Sequence, residues 1–175
     1  AGLGLPSDSI YPTLLTEHFE RAGKPTEILN AGVSGDTTAG GLRRIDWLLK
    51  QQPDLLLIEL GANDGMRGVP LEDIEENLAE MIEKSQQAGI DVRLLQMRIP
   101  SNFGEEYTAG FSAIYPRLAE KHNIPLLPFL LQGVAGEQEL NQADGIHPTK
   151  AGHSIIAETM FTQLEEWRDD WKPDL

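Results

Sequence analysis

Cysteine is absent from all 175 residues of the sequence. A cysteine nucleophile, a thiolate zinc site and disulfide bonds are therefore excluded for these residues. Long apolar runs are lacking as well. The longest are residues 55–58 and residues 124–131, and proline interrupts the second. A membrane-spanning helix needs about 20 apolar residues, so we expect no stable insertion into a membrane.

Basic residues are scarce relative to acidic ones. Lys and Arg total 14 against 28 Asp and Glu, which gives a formal net charge of −14. Such a charge repels polyanions, so we expect no nucleic-acid partner. Neutral and zwitterionic lipids remain compatible with it. The hydrophobic share of 40% and charged share of 24% are those of an ordinary globular protein, and we expect one domain over residues 1–175.

Short apolar runs alternate with helical patterns along the chain. The runs predict strands at residues 27–29, 54–60, 92–99 and 124–129, and helical spacing predicts helices near 12–22, 42–49, 74–88, 111–121 and 148–167. This alternation predicts an α/β fold, a three-layer α/β/α sandwich around a flavodoxin-like parallel sheet. In such folds ligands bind at the carboxyl ends of the strands, so we expect the polar turns there to form the site.

The segment Asp-Gly-Ile-His-Pro at residues 144–148 is the first candidate for chemistry. Asp144, three residues before His147, can set a carboxylate against the imidazole and fix its tautomer, as in a hydrolytic triad. An Asp that caps a turn beside an incidental His explains the local sequence equally well. The other histidines are expected to be structural or on the surface. His18 lies on an apolar helix face, His122 lies on the surface, and His153 either packs or caps in the last helix.

Two turns supply candidate oxyanion donors. Asn63 follows the strand at residues 54–60, and its amide can donate to developing negative charge, although a plain turn also explains the composition. Asp64 is expected to brace that turn. Gly35 can offer a backbone N–H unobstructed by a side chain. Alternatively, the segment only connects a strand to a helix, with the N-cap at residue 36, 37 or 38.

Three segments, at residues 30–38, 58–65 and 144–148, contain these candidates, and taken in this order they resemble the SGNH (GDSL-type) hydrolases. The chain resembles in particular the bacterial multifunctional thioesterase, protease and lysophospholipase group and related arylesterases, and the resemblance spans nearly the whole chain. The resemblance implies that the Gly35 N–H and the Asn63 side chain bind the oxyanion. It also implies that His147 is the general base and then the general acid, and that Asp144 orients it. No metal or cofactor is implied.

The family resemblance also concerns the nucleophile. In these hydrolases it is the serine of a Gly-Asp-Ser-Leu block that ends the first strand, which is central in the sheet. Ala1-Gly2 resembles the pair that follows this block, and Tyr11-Pro12 resembles the opening of the next helix. We therefore expect the serine and its strand ahead of Ala1. Ser7 and Ser9 lack the preceding strand and glycine that a nucleophile would need.

The expected function is that of a serine ester hydrolase working through an acyl-enzyme. The resemblance implies acyl esters, thioesters and lysophospholipids as substrates, with the acyl chain near residues 100–115. The acidic charge, the absence of cysteine and the habit of the family together favour a periplasmic or secreted location. We expect a monomer or small homo-oligomer. One alternative is a truncated or degenerate SGNH-fold protein that binds acyl or carbohydrate ligands without catalysis. Another is a flavodoxin-like signalling or nucleotide domain that shares only the architecture.

Overall fold

A computed structural model describes residues 2–171. Ala1, the first residue of the Ala1-Gly2 pair, lies outside this range. The helices are α1 (Tyr11–Arg21), α2 (Thr38–Leu49), α3 (Ala62–Met66), α4 (Leu71–Gln87), α5 (Glu105–His122) and α6 (Lys150–Asp170), and the strands are β1 (Leu55–Ile58), β2 (Asp91–Leu95) and β3 (Leu126–Leu127). The chain divides into two compact units, called here the sheet unit (Gly35–Leu130) and the terminal unit (residues up to Ser34 and from Leu131 on).

A parallel three-stranded sheet organises the sheet unit. Its order is β1-β2-β3, with Leu55 opposite Asp91 and Leu94 opposite Leu126. Parallel neighbours need a crossover connection, and α4 and α5 supply the two crossovers here. Both helices contact β2. This alternation of parallel strands and helices is the α/β arrangement that the sequence predicts.

The core of the sheet unit consists of apolar side chains from the sheet, from α2, α4 and α5, and from the segment that follows β2. Its members are Ile45, Ile58, Ile74, Leu78, Met81, Ile82, Val92, Leu94, Ile99, Phe111, Ile114, Tyr115 and Leu118. The four that α4 contributes recur at helical spacing, as the sequence predicts. Tyr115 is fully buried, and its Oη donates to the carbonyl of Leu60 at 3.0 Å. Burial raises the pKa of this phenol, so it stays a donor.

The connection from β1 to α3 passes through Gly61. This residue has φ of 113°, and a Cβ on it would lie 2.2 Å from Tyr115 Oη, so only glycine fits. The prediction of a simple tight turn over residues 61–65 is wrong, because the segment continues into the short helix α3. The Gly65 N–H donates to the Gly61 carbonyl at 2.9 Å and closes this helical turn.

The strand predicted at residues 27–29 is also wrong. The structure assigns no strand there, and the side chain of Leu29 is 58% exposed. The apolar pair Ile28 and Leu29 favours a strand, but a strand forms only where a neighbour completes its ladder of hydrogen bonds. The predicted strand at 124–129 shrinks to β3, since Pro125 and Pro128 flank it and have no N–H to donate.

Helices α1 and α6 pack together in the terminal unit. Phe19 contacts Phe161 edge to face at a centroid distance of 5.0 Å. His153 is 4% exposed, and its Nδ1 accepts the backbone N–H of Tyr11 at 3.2 Å. His153 is therefore a packed residue, as the sequence predicts. Lys24 adds an ion pair to Glu165 at 2.7 Å.

His122 is not the surface residue that the sequence predicts. Its side chain is 7% exposed and lies 3.9 Å from Glu83. The backbone carbonyl of His122 accepts the side-chain amide of Gln86 at 2.9 Å, so the end of α5 is held against α4. Burial lowers the pKa of His122 as a consequence. The polar neighbours in sequence gave no sign of this packing between helices.

None of the helices formed by residues 2–171 is long and apolar enough to cross a membrane.

Candidate active site

The loop that carries Asp144 and His147 is fixed at both ends. An isolated antiparallel bridge pairs Asn141 with Pro148, and the Gln142 N–H donates to the His147 carbonyl at 2.7 Å. Thr149 then caps α6, because its side chain accepts the Gly152 N–H at 3.3 Å. The loop is thereby held between a backbone bridge and the first turn of a long helix.

Asp144 accepts three hydrogen bonds within this loop. Its Oδ1 accepts the backbone N–H groups of Ile146 at 2.9 Å and His147 at 3.0 Å, while its Oδ2 lies 2.7 Å from Nδ1 of His147. The bonds from the His147 and Ile146 N–H groups, followed by the bond to the His147 ring, lower the pKa of Asp144 to about 2. The carboxyl group is therefore ionised at neutral pH.

The ionised carboxylate decides the tautomer of His147. A carboxylate can only accept, so Nδ1 must carry the proton in the neutral ring. This leaves Nε2 with a free lone pair, which is the form that a general base requires. The His147 side chain is 41% exposed and the Asp144 side chain 44% exposed, so the pair is accessible to a reactant. The predicted pairing of Asp144 with His147 is thus present.

Gly35 lies in a turn just before α2. Its φ is 74°, a conformation that glycine adopts without strain. Thr37 is the N-cap of α2, because its side chain accepts the Gly40 N–H at 3.2 Å. The three cap positions that the sequence left open are therefore decided in favour of Thr37. Gly35 itself is exposed and lies two residues before the cap.

The buried side chain of Asp64 joins α3 to the start of α2. Asp64 is 1% exposed, and its Oδ2 accepts the Thr38 N–H at 2.9 Å while its Oδ1 accepts the Thr38 hydroxyl at 2.7 Å. Asn77 from α4 donates to the same hydroxyl at 3.1 Å. Asp64 therefore has a structural role, but its side chain braces the start of α2 rather than the turn that the sequence predicts.

Asn63 lies on α3 directly before this brace. Its side chain is half-buried, and within residues 2–171 its amide has no hydrogen-bond partner. An amide in this state is available as a donor. Arg67, at the other end of α3, donates from Nη2 to the Gly35 carbonyl at 3.0 Å. Asn63 therefore lies on α3 itself. Gly35 lies in the segment before α2, which is held by two contacts from α3 and its end, Asp64 to Thr38 and Arg67 to Gly35.

Sequence reasoning missed Arg67 and Asn77, which support the site through contacts distant in sequence. Arg67 had one available signal, a single cation directly after the Gly-Ala-Asn-Asp-Gly-Met segment of an acidic chain. Asn77 had none, because it sits within an ordinary amphipathic helix. No group of three or more His, Asp or Glu side chains within residues 2–171 is arranged to hold a metal ion.

Comparison with known proteins assigns the chain to a family. Residues 1–155 match the GDSL-like lipase/acylhydrolase family. The arylesterase of Vibrio mimicus is 41% identical over 165 residues, which is 94% of this chain and 82% of that protein. An Escherichia coli enzyme, whose name joins thioesterase, protease and lysophospholipase, is 39% identical over 166 residues, 94% of this chain and 78% of that protein. The chain therefore belongs to the GDSL-like lipase/acylhydrolase family.

Solved structures agree with this assignment. The psychrotrophic esterase EstA from Pseudoalteromonas, inhibited by monoethylphosphonate in its crystal, matches with a TM-score of 0.92 at 35% identity. The match covers 97% of this chain and 93% of that one. The resemblance and the α/β sandwich fold predicted from sequence are confirmed. The protein is a carboxylic-ester hydrolase of the SGNH type, in preference to the ligand-binding alternatives.

Proposed function

We propose that the protein hydrolyses acyl esters and thioesters through an acyl-enzyme, using Asp144, His147, Gly35 and Asn63. The observation that carries this proposal is the Asp144–His147 pair, whose 2.7 Å contact leaves Nε2 free to accept a proton. The relatives named arylesterase and thioesterase support the class of substrate. The nucleophilic serine that the sequence predicts ahead of Ala1 stays a prediction.

The proposed reaction has two proton transfers in each half. The serine Oγ bonds to the acyl carbon while its proton passes to Nε2 of His147, and Asp144 stabilises the imidazolium. The carbonyl oxygen becomes an oxyanion, which the Gly35 N–H and the Asn63 amide bind. Nε2 then gives the proton to the departing oxygen or sulfur as its bond to carbon breaks. Water repeats these steps on the acyl-enzyme and releases the acid.

The substrates we propose are small acyl esters, thioesters and lysophospholipids. The net charge of −14 favours neutral or zwitterionic molecules over polyanions. We place the acyl chain near residues 100–115, where the half-buried side chains of Phe103 and Tyr107 pack against the core. A periplasmic or secreted location and a monomeric or small homo-oligomeric state complete the proposal.

Steady-state hydrolysis of p-nitrophenyl butyrate by the full-length protein and its variants tests this proposal. His147→Ala should lower kcat/KM by at least about 10²-fold, because the general base is lost. Asn63→Ala should lower kcat by about 10²- to 10³-fold, the usual worth of one oxyanion donor. His18→Ala is the matched control, since His18 packs on Phe161 in α6 and should leave kcat unchanged. A His147→Ala variant as fast as the wild type would refute the assignment.

A further inference from the structure

Arg67 has no role in the proposed reaction, but it contacts one of the proposed oxyanion donors. Its Nη2 donates to the Gly35 carbonyl at 3.0 Å across 32 positions in sequence. Within residues 2–171 the Gly35 carbonyl accepts no other hydrogen bond, and the guanidinium forms no ion pair. Arg67 is exposed, so burial does not force its side chain onto this oxygen. The position of the Arg67 side chain is therefore explained by its hydrogen bond to Gly35, and not by burial or by an ion pair.

Gly35 needs such a restraint because of its conformation. With φ of 74° and no Cβ, glycine has more accessible backbone conformations than any other residue. The Thr37 cap and the Asp64–Thr38 bonds fix the chain only after Gly35. The Arg67 bond fixes the peptide group that follows the Cα of Gly35. It thereby limits the φ and ψ rotations of Gly35 that would turn its N–H away.

The short helix α3 and the residue at its end supply both side chains that hold the segment from Gly35 to Thr38. Asn63 and Arg67 lie on α3 or at its end, and Asp64 between them holds Thr38. One five-residue helix thus carries one proposed oxyanion donor and fixes the position of the other. The positions of the two donors are thus fixed by the same helix. Preorganised stabilisation of a transition state requires donors that are already held in place.

We propose that Arg67 is a positioning residue of the ester hydrolase, holding Gly35 so that its N–H points at the developing oxyanion. This inference rests on the proposed function. The guanidinium also adds positive charge beside a loop that must stabilise negative charge. Both effects act on the transition state, so they raise kcat and leave KM nearly unchanged.

The test compares Arg67→Ala and Arg67→Lys with the wild-type protein, using p-nitrophenyl butyrate. Arg67→Ala should lower kcat about tenfold, a fraction of the 10²- to 10³-fold worth of a whole donor. KM and the urea midpoint of unfolding should not change. Arg67→Lys should recover most of kcat, because an ammonium can still donate one bond to the carbonyl. Arg43→Ala is the control, since Arg43 is an exposed arginine on α2.

A second comparison tests whether Arg67 acts through Gly35. Gly35→Ala disturbs the same N–H, so adding Arg67→Ala to it should lower kcat by much less than in the wild type. An undiminished effect in that background would overturn the inference. It is equally overturned by an unchanged kcat in Arg67→Ala, by a loss confined to KM, or by an Arg67→Lys variant no faster than Arg67→Ala.

The Asn63→Ala variant separates the two levels of the proposal. If the wild type hydrolyses the ester and Asn63→Ala is strongly impaired, the proposed function holds, and the Arg67 results decide the inference alone. If the wild type shows no hydrolysis, or Asn63→Ala keeps full activity, the proposed function fails and the inference fails with it.

Discussion

At the scale of single residues, the orientation of His147 depends on how Asp144 distributes its hydrogen bonds. Oδ1 is occupied by two backbone N–H groups, which leaves Oδ2 for the ring. The backbone donors therefore determine which oxygen faces the imidazole. Because the same bonds hold the pKa of Asp144 at about 2, the carboxylate remains an obligate acceptor through the pH range of most enzymes.

Replacing Asp144 by Asn should invert the tautomer of His147. The amide oxygen would keep the two backbone N–H bonds, so the NH₂ group would face Nδ1 and donate to it. The ring proton would then sit on Nε2, which could no longer accept a proton from a serine. We expect kcat to fall by roughly 10²- to 10⁴-fold with an unchanged fold by circular dichroism. A kcat close to that of the wild type would show that Asp144 does not orient the base.

The Asp144–His147 pair was predictable from sequence, whereas the support of Gly35 was not. The two residues lie three positions apart in one turn, so their spacing alone shows that the side chains can make contact. The bond from Arg67 to Gly35 spans 32 positions and depends on where β1 and α3 carry the arginine. Local patterns contain no information on that placement.

At the scale of helices and strands, periodicity predicted the long helices well and the short elements poorly. Four buried apolar residues fix the face of α4, and burial follows the sequence pattern there. The helix α3 is five residues long, and a buried carboxyl group and a close-packed glycine define it. Such contacts are tertiary, which is why the sequence suggested only a turn. The strand at 27–29 failed for the related reason that a strand needs a partner.

The packing of α1 on α6 should make stability depend on pH through His153. Burial lowers the pKa of His153 below its ordinary value of 6.5. In the unfolded chain the ring therefore binds a proton at a higher pH than in the folded protein, and stability falls as pH drops below about 6.5. Above that pH both states are neutral, so the contribution of His153 no longer changes.

Urea unfolding from about pH 7.5 to about pH 5.5 measures this dependence. His153→Gln should flatten the slope, because a glutamine oxygen can accept the Tyr11 N–H without titrating. His122, whose pKa is also lowered by burial, contributes with the same sign, so part of the slope should remain. An identical slope in the wild type and in His153→Gln would show that His153 does not contribute to the pH dependence of stability.

At the scale of the whole molecule, the excess of acidic residues should discriminate between substrates by charge. The net charge of −14 raises the energy of an approaching anion, and salt screens this repulsion over a Debye length of about 10 Å at 0.1 M. We expect KM for an anionic acyl thioester to fall as salt increases, while KM for a neutral p-nitrophenyl ester stays constant. A KM for the anion that rises with salt would instead indicate a local basic binding site.

Composition and motif order together predicted the class of the molecule. The charge balance disfavoured nucleic acid, and the alternation of elements gave an α/β architecture. Neither property names a reaction, since many activities share this fold. The reaction class followed from three short segments at residues 30–38, 58–65 and 144–148 taken in order, and the family match over residues 1–155 confirms it.

Fluorophosphonate labelling of the protein, followed by mass spectrometry, tests the central claim most directly. An SGNH ester hydrolase that uses His147 should take up one adduct on one serine. His147→Ala should be labelled at least about 10²-fold more slowly, because His147 activates that serine. An active enzyme that forms no adduct, or a His147→Ala variant labelled as fast as the wild type, would contradict the account.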